Sequence, residues 1–79
     1  MEKNIEEFTM KHINYLKFLT ARFSKIYNVD SEELLSYAFE GLIKAASNYD
    51  ENNSGSIGYL YKCISGSIYN GIYEIKGYI

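Results

Sequence analysis

Proline and tryptophan are absent from this 79-residue chain, and cysteine and histidine occur once each. A single thiol excludes a disulfide framework and a multi-cysteine zinc site, and the lack of proline excludes a Pro-rich linker. No apolar run approaches the roughly 20 residues that a membrane-spanning helix needs. The opening stretch, Met1-Glu2-Lys3-Asn4-Ile5-Glu6-Glu7, is acidic and lacks the apolar core of a secretory signal. The expectation is a cytoplasmic protein in a reducing compartment, with no membrane partner. Catalytic equipment is missing as well. Asn53-Ser54-Gly55-Ser56-Ile57-Gly58 lacks the Lys-Ser/Thr ending of a phosphate-binding loop. Glu6-Glu7 and Glu32-Glu33 are adjacent pairs that diverge on a helix rather than meet. His12 has no companion at ligand spacing, and Cys63 reads as a small buried hydrophobe. No cofactor, metal or enzymatic activity is expected.

Strong positive charge is also lacking. The formal net charge is −2, unevenly spread. Residues 1–27 carry five basic and three acidic side chains, residues 28–53 one and six, and residues 54–79 two and one. An autonomous duplex-DNA binder shows a basic face, which this distribution does not supply. The acidic middle third points instead to a basic protein partner, or to a plain solvated helix face.

What the chain does have is apolar and tyrosine content. Hydrophobic residues make up 47% and charged residues 23%, the balance of one small folding domain. There are nine Tyr, and Tyr59, Tyr61, Tyr69 and Tyr73 crowd the last third. A phenol ring with a polar tip suits wet interfaces and the stacking of unpaired bases, although compositional bias explains it equally well.

The periodicity predicts three helices. Ile5, Phe8, Ile13, Leu16, Leu19, Phe23 and Ile26 recur at threes and fours, with lysines interleaved, giving one long amphipathic helix. Asn28-Val29-Asp30 reads as a connection, and Asp30 or Ser31 caps a second helix that ends near Asn48 or Tyr49. Residues 50–56 read as a loop. In the last segment Leu60, Ile64, Ile68, Ile72, Ile75 and Ile79 keep the helical period, while Asn70-Gly71 is a hairpin signal and Gly66, Gly71 and Gly77 weaken a helix. The sustained period favours a helix. The fold class predicted is all-α, three helices, one domain over residues 1–79.

On the second helix, Leu34, Leu35, Ala38, Gly41, Leu42, Ala45, Ala46 and Tyr49 fall on one side, so small residues allow a neighbouring helix to come close. Ser36, Phe39, Glu40, Ile43 and Ser47 fall on the other. Two large apolar side chains there, one turn apart beside an acid, form a small anchor for a partner, or are covered by a neighbouring helix.

The run from Glu32 to Asp50 resembles the signature of conserved region 2 in sigma-70 family transcription initiation factors, with Leu34, Gly41, Leu42, Lys44, Ala45 and Asp50 in register. Tyr59-Leu60-Tyr61-Lys62-Cys63-Ile64-Ser65-Gly66-Ser67-Ile68 is similar to that family's Y-x-x-x-x-I-R-G-A-I run. Ser36-Tyr37-Ala38 stands where the family has Gln-Glu-Gly, and Ser65 where it has Arg. The resemblance implies a helical module that docks on the clamp helices of the RNA polymerase β′ subunit. Carried over by position, the polymerase contacts are Glu33, Ser36, Tyr37, Phe39, Glu40 and Ile43. It implies recognition and melting of the −10 promoter element within the polymerase complex, through Tyr59, Tyr61, Lys62, Ser65, Tyr69 and Asn70. With no region 4 after the region-2-like part, the expectation is either an excised domain or, as the resemblance implies, a split sigma factor whose other subunit carries region 4. The rival expectation is a helical adaptor that binds polymerase or a sigma factor and never touches DNA.

Overall fold

The computed structural model describes residues 5–48 and 56–77, and all of its regular structure is helical: α1 (Ile5–Tyr27), α2 (Ser31–Asn48) and α3 (Ser56–Lys76). The predicted all-α, three-helix class is observed. The expected positions of Tyr49, Ile79 and most of the loop at 50–56 lie outside the described residues.

The turn between α1 and α2 is set by local chemistry. Asn28 takes φ 56°, the left-handed conformation that asparagine tolerates better than most residues. The Val29 N–H then donates to the Ser24 carbonyl at 3.1 Å, closing a Schellman-type end, and the Val29 side chain is buried. The Ser24 hydroxyl donates to the Val29 carbonyl. Asp30 then caps α2: its Oδ1 accepts the Glu32 N–H at 3.4 Å and its carbonyl accepts the Leu34 N–H at 3.1 Å. Of the two candidate caps, Asp30 holds the position. At the far end of the fold, α3 stops at Lys76, short of the expected Ile79. Gly77 follows with φ 72°, and its N–H donates to the Glu74 carbonyl at 3.3 Å.

One core joins the three helices. Leu16, Leu19 and Phe23 of α1, Leu34, Ala38, Leu42 and Ala45 of α2, and Leu60, Ile64, Ile68 and Ile72 of α3 are buried together. Burial of such apolar area stabilises at about 25 cal/mol per Å². Of the apolar positions predicted for α1, Leu16, Leu19 and Phe23 are buried and Phe8 and Ile13 pack against the core, Ile26 is largely exposed with Tyr15 and Tyr27 packed in its place, and the Ile5 side chain lies outside what the structure describes. Every buried side-chain polar atom among the described residues has a partner. Thr20, buried in α1, donates to the Leu16 carbonyl at 2.7 Å.

The seams differ. α2 packs most extensively on α3, less on α1, and α1 and α3 touch least. Gly41 lies against α3, where a β-carbon would stand 2.7 Å from the Cys63 carbonyl oxygen and 2.9 Å from Ile64 Cα. That is the close helix approach expected from the small residues of α2. Gly71 is buried inside α3, where its missing side chain leaves room for the Tyr37 ring. A β-carbon there would meet that ring at 2.6 Å. The Asn70-Gly71 dipeptide is therefore helical rather than a hairpin turn. α1 and α3 meet instead through rings: Phe23 and Tyr69 lie 5.1 Å apart edge to face, and Tyr27 and Tyr69 6.0 Å apart.

Candidate docking surfaces

The α2 face turned away from both neighbours carries Glu33, Ser36, Glu40 and Ile43, all exposed, and Ile43 keeps 46% of its surface in solvent. Their spacing of threes and fours puts them on one strip. Two residues expected on this strip stand elsewhere. Phe39 is half-buried and packed against the core. It occupies the margin of the outward face, about 60° from Ser36 and about 100° from Glu40 at 100° per residue, where a ring folds back onto apolar neighbours. The expectation that Phe39 projects freely is corrected to an edge contact. Tyr37 leans over Gly71 on α3 instead of facing outward. Burial raises its phenol pKa, aided by the charge of Glu74 and a hydrogen bond to it, and by Glu40 and Glu33 nearby. Tyr37 thus works as a seam residue between α2 and α3.

The six expected DNA residues on α3 do not form one surface. Tyr59, Lys62 and Asn70 are exposed along the outer side, with Gly66 flush between them. Tyr61 is exposed too, but two helical positions from Tyr59 amount to about 200° of rotation. It faces the α1 side beside Tyr15, whose phenol pKa is raised by burial and by Tyr61. Tyr59 shares a hydrogen bond with the Cys63 thiol, and burial with that bond raises its pKa. Tyr69 is half-buried: its hydrogen bond with Tyr27, then burial, raises its pKa. Ser65 is buried, and its hydroxyl donates to the Lys62 carbonyl of its own helix at 3.5 Å. Tyr69 and Ser65 hold the fold, and the expectation of DNA contact at these positions does not fit their burial. Tyr73, exposed next to Asn70, was not among the expected DNA residues, although its place in the Tyr cluster signalled it.

The remaining chemistry is sparse. Among the described residues no three His, Cys, Asp or Glu side chains gather to hold a metal ion, and no helix is long and apolar enough to cross a membrane. His12 packs against the Phe8 ring, centroids 4.6 Å apart, and burial, with Lys11 beside it, lowers its pKa. Cys63 is a half-buried free thiol.

Comparison of the chain with protein-family models, with curated proteins and with solved structures finds no match.

Proposed function

We propose that the chain is a transcription-initiation subunit of the sigma region-2 type. The outward strip of α2, with Glu33, Ser36, Glu40 and Ile43 and with Phe39 at its margin, docks on the β′ clamp helices of RNA polymerase. A separate sigma subunit supplies region 4. The outer side of α3, with Tyr59, Lys62 and Asn70, lies against the −10 promoter DNA opened within the complex, where base stacking is worth about 1–3 kcal/mol per base. The observation that supports the reading is Ile43: a large apolar side chain left in solvent one turn from Glu40, on the helix that carries the sigma-like signature. An exposed apolar residue ringed by polar ones is the pattern of a small interface anchor.

The test is Ile43→Asp against purified RNA polymerase, read by pull-down and by circular dichroism. Binding should fall by at least about tenfold with helicity unchanged. Wild-type chain that fails to bind polymerase, alone or with candidate partner sigma subunits, would end the proposal.

A second reading, an adaptor that binds polymerase without touching DNA, is favoured by the burial of Ser65 and the net charge of −2. Photocrosslinking from position 59 and from position 61 to the non-template strand in an open complex separates the two. Crosslinks at 59 support DNA contact by the outer side of α3. Full promoter activation with no crosslink at either position supports the adaptor.

A further inference from the structure

Residues 8–29 contain four cations, Lys11, Lys17, Arg22 and Lys25, and no acidic residue. All four are exposed along α1. Lys11, Phe18, Arg22 and Lys25 share one stripe at helical spacing, and Phe18 in its middle is 57% exposed. The stripe borders the groove where α1 and α3 stand apart. There Tyr15, Phe18, Leu19, Arg22, Phe23 and Tyr61 line a cleft of about 300 Å³.

We propose that this groove seats an acidic amphipathic helix from a protein partner. One or two of the partner's apolar side chains enter over Leu19 and Phe23 between Tyr15 and Tyr61. Its carboxylates lie along Lys11, Arg22 and Lys25. The surface is separate from the α2 strip, so the inference stands whether or not the chain binds polymerase.

Three features select this occupant. A groove between two helices that touch as little as α1 and α3 is a place where a further helix can pack, as in a four-helix bundle. Tyr, Phe and Arg around a small apolar floor are the residue types that carry most interface energy. The charge is local: α1 is cationic from residue 8 onward, whereas Glu32, Glu33 and Glu40 make α2 acidic. A short acidic helix confined to the groove feels the α1 cations, because charges beyond about 8 Å are screened at physiological salt. A long polyanion such as duplex DNA would also meet the acidic part of a chain whose net charge is −2. A membrane surface is a poorer fit, since the apolar face of α1 is already spent on Leu16, Leu19 and Phe23 in the core.

The experiment selects from a displayed library of helical peptides against the full chain, then measures affinities for wild type, Arg22→Glu, Phe18→Ala and, as a control on the other face, Ile43→Asp. The substituted side chains are exposed, and circular dichroism checks that each variant keeps its helicity. Enriched peptides should carry Asp or Glu flanking Leu or Phe. They should bind Arg22→Glu at least about tenfold more weakly, bind Phe18→Ala more weakly than wild type, and bind Ile43→Asp as wild type. Amide resonances of Leu19 and Tyr61 should shift on titration. Neutral or basic winners, or affinity that survives Arg22→Glu, would overturn the proposal. So would a mixed-sequence single-stranded oligonucleotide that outcompetes the acidic peptides, or a dimer of this chain that Arg22→Glu dissolves.

Discussion

The α2–α3 seam and the α1–α3 seam use opposite means to join helices. Between α2 and α3, glycine removes side chains altogether. Gly41 brings the two backbones into contact, and Gly71 receives the Tyr37 ring. Between α1 and α3, rings act as spacers: Phe23, Tyr27 and Tyr69 hold the helices together at one end, while farther along the cleft beside Tyr15 and Tyr61 stays open. The difference teaches where this small domain is rigid and where it has surface to offer. Close-packed seams leave no concavity, whereas aromatic spacers leave a groove with polarisable walls.

One substitution, glycine to alanine, breaks the comparison at different strengths. Gly41→Ala should be the most damaging. Its β-carbon meets backbone atoms at 2.7 and 2.9 Å that cannot swing aside. The loss should be about 2 kcal/mol, at the cost of overpacking less the gain in helix propensity, read by urea unfolding. Gly41→Ala as stable as wild type would mean that the α2–α3 seam is loose.

Next in size is Tyr69→Phe, which removes a hydroxyl from the aromatic seam. It should lower stability near neutral pH by removing the hydrogen bond with Tyr27. It should also blunt the alkaline loss of stability. Tyr69 has a raised pKa in the fold, so the folded state favours the neutral phenol. The stabilisation is complete below the ordinary tyrosine value near 10 and is lost as pH rises through the higher folded value. Unfolding followed from pH 8 to 11 should therefore show a shallower decline for Tyr69→Phe than for wild type, and equal slopes would remove Tyr69 from the seam.

Gly66→Ala should go the other way. A β-carbon there meets nothing within 4 Å, and the position is exposed in the middle of α3. A gain approaching about 1 kcal/mol is expected from helix propensity alone. Gly71→Ala should destabilise, though less than Gly41→Ala: its β-carbon meets no backbone, but it stands 2.6 Å from Tyr37 Cγ and 3.1 Å from Tyr37 Cβ, the root of a side chain that has to shift as a whole. In a Tyr37→Ala background the same change should become stabilising. A double-mutant cycle with no coupling between positions 37 and 71 would show that the ring does not use the space.

How much of this was legible in advance varies by residue. The heptad-like apolar positions announced Leu16, Leu34, Leu42, Ile64 and Ile68 as core, since a single helix period settles which side is buried. A cap at Asp30 or Ser31 was legible for the same local reason, and the structure selects Asp30. Tyr37 was not, because a phenol next to carboxylates reads as surface until a glycine on another helix is found beneath it. Phe39 misled in the opposite sense: its angular position is marginal, and only the neighbouring core decides whether the ring lies down. Ser65 and Tyr69 sit on the same helix as Tyr59 and Lys62, and their burial depends on how α3 is rolled against α1 and α2.

The amino-acid sequence by itself determined three helices, the capped start of α2 and the apolar faces, because hydrogen bonding, end capping and the 3.6-residue period act over a few neighbouring positions. The distance between helices, the side each tyrosine takes, and the groove beside Phe18 and Arg22 were decided only in the tertiary structure. They depend on pairs such as Gly41 with Cys63 and Gly71 with Tyr37, which lie far apart along the chain and meet only when the helices pack.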